Sequence, residues 1–139
     1  MTEFVINYWA VLVSAVAGMV VGALWYSPIL FGKMWMKLSG MSQEKMAEAK
    51  KKSMVKPYAV SFIGLLVMAY VLAHFLAIGV AVTASDALLV AFWLWLGFVV
   101  TIKIGDVLWA GDPVKLYIIN IAHYLVAIGV MAVILTLWK

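Results

Sequence analysis

Hydrophobic and polar positions in this sequence fall into long blocks rather than into a short amphipathic repeat. No Asp, Glu, Lys or Arg occurs in the stretches 4–32, 57–85, 87–102 and 116–138. A helix needs about 20 mostly apolar residues to cross the hydrocarbon layer of a bilayer. The pattern therefore predicts one all-α domain over 1–139, an integral membrane four-helix bundle, with helices at 8–29, 58–78, 87–109 and 114–137.

The overall composition supports a membrane location for these helices. Hydrophobic residues make up 68% of the 139 and charged residues only 12%. Soluble domains are about half apolar, and a chain this short keeps much of its surface exposed after folding. The solvent for that surface is therefore expected to be lipid.

The long polar segment at 33–56 predicts the orientation of the bundle. It carries seven lysines, whereas the connection between the second and third helices carries none. Lysine-rich loops face the cytoplasm. We therefore expect this polar loop on the cytoplasmic side of the cell (inner) membrane and both termini on the outer side. Glu3 with no nearby lysine favours a retained first helix over a cleaved signal peptide.

The lysines also indicate what the polar loop contacts. The net charge is +4 and all ten basic residues are lysines, which suits attraction to anionic lipid headgroups. A docking site for an acidic protein is the alternative. Nucleic acid is not predicted as a partner, since a loop facing anionic lipid accounts for the excess charge.

Small residues recur at four-residue steps on two helices. Such stripes let helix backbones approach closely in lipid. They mark Gly18 and Gly22 as packing positions, within the chain or between copies, and we predict a homo-oligomer. The stripes are Ala10, Ser14, Gly18 and Gly22 on the first helix, and Gly97, Thr101 and Gly105 on the third.

Each stripe leads to a Leu-Trp pair and then to a proline, at Pro28 and at Pro113. Both helices are expected to run in the same direction across the membrane. The similarity predicts two helical hairpins related by a parallel repeat. Chance is the alternative, because glycine and alanine are common in membrane helices.

Few polar groups lie inside the predicted spans, and each is a candidate functional residue because polar side chains are costly there. Lys103 and Asp106 are three residues apart, as are Asn120 and His123. The first pair is either an interfacial ion pair or a buried relay between helices. The second pair either forms hydrogen bonds between helices or contributes to a proton or substrate site. His74 is either a hydrogen-bonding or interfacial group or part of such a site.

The sequence predicts neither an enzyme nor a cofactor or metal site. It contains no cysteine and two histidines on different predicted helices. That set lacks the ligand spacing of a zinc site, and no phosphate-binding or nucleophile motif occurs.

The stretch Gly22–Trp35, which reads GALWYSPILFGKMW, combines an aromatic anchor (Trp25, Tyr26), a proline stop (Pro28) and a lysine that reaches headgroups (Lys33). This stretch resembles the Domain of unknown function 1761 family of small four-span membrane proteins. The resemblance extends over the whole chain and implies the four-span architecture. It implies no activity and no catalytic residue.

Two functions are consistent with these patterns. The first is a structural or accessory membrane protein that self-associates, alone or within a larger membrane complex. The alternative is a small oligomeric transporter or channel with a polar path from helices three and four. Its residues would be Lys103, Asp106, Asn120 and His123.

Overall fold

The computed structural model describes residues 4–139 and is all-helical over that range. Glu3, whose charge argues against a signal peptide, lies outside the described residues. The helices are α1 (Tyr8–Trp25), α2 (Gly32–Ser39), α3 (Gln43–Lys51), α4 (Val55–Ile78), α5 (Ala84–Trp95), α6 (Thr101–Leu108) and α7 (Val114–Leu137), and a π-helical turn (Leu96–Val100) joins α5 to α6.

Four of these helical segments are long and apolar enough to cross a membrane: α1, α4, the continuous rod from Ala84 to Leu108, and α7. We call them spans 1 to 4. The predicted all-α, four-span architecture is thereby confirmed, and it indicates a multi-pass membrane protein. The π-helical turn interrupts span 3 alone, so spans 1 and 3 differ in regularity.

Several predicted boundaries were wrong by a few residues because local hydrogen bonds set them. Span 1 ends at Trp25 rather than 29, before Pro28 is reached. Span 3 begins at Ala84 rather than 87. Thr83 caps it by accepting a bond from the Asp86 N–H, while the Asp86 carboxylate accepts one from Thr83. This reciprocal arrangement satisfies two otherwise unpaired N–H groups.

The predicted polar loop at 33–56 contains two short helices. α2 ends at Gly40, whose φ of 74° is a left-handed conformation that favours glycine. Ser42 then caps α3 by accepting a bond from the Lys45 N–H at 3.1 Å. α3 has no buried residue, so it is a solvated helix, whereas α2 packs against α7.

Span 4 is the central helix of the bundle. It packs against α1, α2, α4, α5 and α6, and Met131 and Ala132 in its second half are fully buried. By contrast α4 and α5 make few contacts with each other. The first half of α4 leaves Val55, Val60 and Ile63 more than half exposed. Spans 2 and 3 therefore present most of their apolar surface to lipid or to other proteins.

The two small-residue stripes have different surroundings. A Cβ on Gly18 would lie 3.0 Å from Leu65 Cδ2 and 3.1 Å from Met131 Sδ, so this glycine lies where α1, α4 and α7 meet. Gly97 has no atom within 4 Å of such a Cβ. The stripe of span 1 packs inside the chain, whereas Gly97 and Thr101 of the span 3 stripe are exposed and Gly105 is half-buried.

Candidate functional site

The motif Gly22–Trp35 folds into a tight turn between α1 and α2. The Phe31 N–H donates to Trp25 O at 3.0 Å, and the Gly32 N–H donates to Ser27 O at 2.9 Å. The Ser27 hydroxyl donates to Leu24 O at 2.7 Å. Pro28 lies exposed at the tip of the turn, and as a proline it has no N–H to leave unpaired.

Gly32 is the residue on which this turn depends. It is buried, and a Cβ there would lie 2.7 Å from both the carbonyl carbon and oxygen of Ser27 and closer still to Tyr26 O. Rigid backbone occupies the space of any side chain. The sequence interpretation missed Gly32, although its place in the Phe-Gly-Lys part of the motif was the available signal.

Two aromatic residues of the motif hold α7. The Trp25 indole N–H donates to Ile119 O at 3.1 Å, and the Tyr26 hydroxyl donates to Asn120 Oδ1 at 2.7 Å. Trp35 of α2 then meets Tyr26 edge-on, with ring centroids 6.0 Å apart. Trp25 is therefore bonded inside the bundle and is not simply the interfacial anchor that the sequence predicted.

Tyr26 follows the last residue of span 1 and is half-buried. Burial, with a smaller contribution from the phenol of Tyr124, raises the pKa of Tyr26 to about 12. The phenol therefore keeps its proton and serves as the donor to Asn120.

His123 lies one turn beyond Asn120 in a cage of aromatic rings. Its ring centroid is 5.2 Å from that of Tyr26 and 4.9 Å from that of Tyr124. Both ring nitrogens are buried, and neither has a hydrogen-bond partner within residues 4–139. A Cβ on Gly22 would lie 3.4 Å from Nε2, so this glycine leaves room for the imidazole. We call Tyr26, Asn120 and His123 the polar cluster.

The polar residues of span 3 are arranged separately from the polar cluster. Lys103 Nζ lies 2.6 Å from Asp106 Oδ2, and the two side chains are 33% and 42% exposed. Neither forms a hydrogen bond with Asn120 or His123 within residues 4–139. A pair this exposed stabilises a protein by about 1 kcal/mol at most, as expected of an interfacial ion pair.

His74 is engaged locally on α4. Its Nδ1 lies 2.8 Å from Tyr70 O, one turn earlier, and its ring meets the Tyr70 ring edge-on at 4.7 Å. These contacts stay within one helix. His74 therefore joins neither the polar cluster nor the Lys103–Asp106 pair.

Two further side chains tie span 3 to span 4, and the sequence interpretation did not select either for this role. The Trp95 indole donates to Ile121 O at 2.7 Å. The Tyr117 hydroxyl donates to Val100 O, at the end of the π-helical turn, at 2.7 Å. Trp95 lies in the interior of its span rather than at an end, which was the available signal. Spans 1 and 3 thus both donate an indole N–H to the backbone of α7.

Lys33 lines a cavity of about 290 Å³ between α2 and the first turn of α7. We call it the lysine cavity. Its other lining residues are Met34, Lys37, Leu38 and Lys115. Among the residues that the structure describes, no cluster of three His, Asp or Glu side chains has the geometry of a metal site.

Comparison with known proteins gives one family. The model of a family described as "Protein of unknown function (DUF1761)" matches residues 9–136. No curated protein and no solved structure matches the chain.

Proposed function

The chain belongs to the DUF1761 family, whose function is unknown, and we propose that it is a structural or accessory membrane protein that associates with further copies of itself. The assembly forms alone or as part of a larger membrane complex. No catalytic activity and no cofactor belong to the proposal.

The outward stripe of span 3 is the observation that carries the proposal. Gly97 and Thr101 are exposed, and a Cβ on Gly97 would meet no atom of the described residues within 4 Å. Small residues in a membrane helix permit close backbone approach by a partner helix. The equivalent stripe of span 1 already has its partners at Leu65 and Met131, so span 3 is left to pack between chains.

The hydrogen bonds inside the bundle support a structural role. Trp25, Trp95 and Tyr117 each donate to a backbone carbonyl of a neighbouring span. Such bonds between membrane helices contribute about 0.6 kcal/mol on average. Several of them together fix the positions of spans 1, 3 and 4 without requiring a transported substrate.

Gly97→Leu is expected to weaken self-association by about tenfold, because its side chain keeps a second span 3 at a distance. The measurement is energy transfer between donor-labelled and acceptor-labelled copies in liposomes at increasing dilution in lipid. Gly64→Leu is the matched control, because a Cβ on Gly64 of α4 would also have no atom of the described residues within 4 Å. Wild-type protein that stays monomeric, or equal association of Gly97→Leu, contradicts the proposal.

The polar cluster favours a second candidate, a small oligomeric transporter. His123, beside Asn120, has two buried nitrogens without a hydrogen-bond partner in the described part of the chain, and an intramembrane imidazole is a typical proton relay. The same liposomes loaded with a pH-sensitive dye discriminate the two functions. We expect no proton flux above that of protein-free vesicles. A flux that His123→Leu abolishes would instead favour the transporter.

We also propose that the segment with α2 and α3 lies on the cytoplasmic side of the cell membrane and that both termini lie on the outer side. The support is the lysine bias of that segment. A Glu48→Cys variant is expected to react with an impermeant thiol reagent only after permeabilisation. Ser85→Cys, at an exposed position in the first turn of span 3, is expected to react in intact cells. The absence of native cysteines makes both probes clean, and the reverse labelling would invert the orientation.

A further inference from the structure

The lysine cavity brings together basic residues from two helices that are distant in sequence. Lys33 and Lys37 are one turn apart on α2 and therefore share a face. Lys115 comes from the first turn of α7, and all three line the same 290 Å³ cavity. The surface of the cavity is almost entirely apolar and is formed by the lysine stems together with Met34 and Leu38.

The three ammonium groups have no counter-charge within the described part of the chain. Within the described range, the ion pair is that of Lys103 with Asp106. No side chain in this range accepts a hydrogen bond from Lys33, Lys37 or Lys115. The stems of these lysines line the cavity, while the exposed side chains carry their charges at its rim. A bound anion would supply the missing counter-charge.

The cavity is held in place by packed elements rather than by mobile side chains alone. Gly32 fixes the start of α2 against the Tyr26–Ser27 backbone, and Trp35 rests on Tyr26. Tyr26 in turn donates to Asn120 on α7. The face of α2 that carries Lys33 and Lys37 is therefore set at a fixed position relative to Lys115.

Its location identifies the anion. α2 follows the end of span 1, and Lys115 begins span 4, so the cavity lies at one boundary of the apolar layer. Lysine stems also pack along apolar surface while their charges reach the polar side. Met34 and Leu38 offer a free inorganic anion nothing, whereas they suit the glycerol and first methylenes of a lipid.

We propose that the lysine cavity binds the headgroup of one acidic phospholipid, with its phosphate among Lys33, Lys37 and Lys115. This site is distinct from the general attraction of the lysines on α3, a helix without a buried residue. It also does not depend on self-association, because a single chain supplies all its residues.

The test compares two variants with the same loss of charge. The cavity variant is Lys33→Gln with Lys37→Gln and Lys115→Gln, and the control is Lys45→Gln with Lys50→Gln and Lys52→Gln on α3 and at its end. Native mass spectrometry measures the retention of phosphatidylglycerol by purified protein in zwitterionic detergent. We expect about tenfold weaker retention for the cavity variant and near wild-type retention for the control. Equal losses in both variants would overturn the discrete site.

Two further arms of the experiment separate loss of charge from loss of fold, and a bound lipid from a bound free phosphate. A Lys33→Arg, Lys37→Arg, Lys115→Arg variant keeps the charge and is expected to retain the lipid. If the triple glutamine variant fails to fold, the single Lys115→Gln variant is measured in its place. Inorganic phosphate and the deacylated headgroup, glycerophosphoglycerol, are expected not to displace the lipid. Displacement by inorganic phosphate as effective as that by phosphatidylglycerol would show a phosphate site and refute the lipid assignment.

Discussion

Gly32→Ala is expected to lower the free energy of unfolding by about 2–3 kcal/mol, the cost of forcing an extra group into a closely packed position. The added methyl would lie 2.7 Å from the carbonyl carbon and oxygen of Ser27. These are backbone atoms of a turn closed by its own hydrogen bonds. They move only if the turn opens, and no rotamer change relieves the contact.

Opening that turn has a predictable structural consequence. Residues 26–31 link Trp25, which donates a hydrogen bond to Ile119 O, to α2, whose Trp35 packs against Tyr26. A displaced α2 would move Lys33 and Lys37 away from Lys115. Gly32→Ala is therefore also expected to reduce retention of acidic phospholipid, although all three lysines remain.

Equilibrium unfolding of purified protein by sodium dodecyl sulfate, followed by tryptophan fluorescence and far-ultraviolet circular dichroism, measures the effect. Gly64→Ala is the matched control, because a methyl on that α4 glycine meets no atom within 4 Å. It is expected to be neutral or to stabilise by up to about 1 kcal/mol through helix propensity. If Gly32→Ala were as stable as the wild-type protein, this result would contradict the close approach of the Tyr26–Ser27 backbone to Gly32.

The span count was predictable from sequence because uncharged stretches of 23 to 29 residues, and of 16 residues in span 3, have few alternative structures. The ends of the spans were less predictable. Pro28 indicated a stop near 29, yet α1 ends at Trp25, where the backbone begins the turn closed by Phe31 and Gly32. Hydropathy shows where charged residues are absent. It does not show where the backbone N–H and C=O groups form the hydrogen bonds of a turn instead of those of a helix.

The side of each span that faces protein could not be read from composition. In lipid, a surface residue and a core residue are equally apolar, so Gly18 and Gly97 look alike in sequence although one is buried and the other exposed. The partner of Asn120 posed the same difficulty, since Tyr26 lies on a different span. By contrast the Lys103–Asp106 pair was readable, because a spacing of three residues places both on one helix face.

Gly18→Leu is expected to destabilise the bundle by about 3 kcal/mol, at the upper end of the usual cost of overpacking. A Cβ at this position already approaches Leu65 Cδ2 to 3.0 Å and Met131 Sδ to 3.1 Å. A whole leucine side chain would separate α1 from both α4 and α7. Gly18→Ala is expected to cost much less, because the ends of the Leu65 and Met131 side chains can shift by a few tenths of an ångström.

The same substitution at Gly97 distinguishes the roles of the two stripes. Gly97→Leu adds a side chain at a position where no atom of residues 4–139 lies within 4 Å of the added Cβ, so the detergent unfolding free energy is expected to stay unchanged or to rise by up to about 1 kcal/mol through helix propensity. Its effect is instead expected on energy transfer between copies in liposomes. Loss of association by Gly18→Leu at unchanged stability would mean that span 1, rather than span 3, packs between chains. Because both variants exchange glycine for leucine in a membrane span, a difference between them reports the surroundings of each glycine and not the substitution itself.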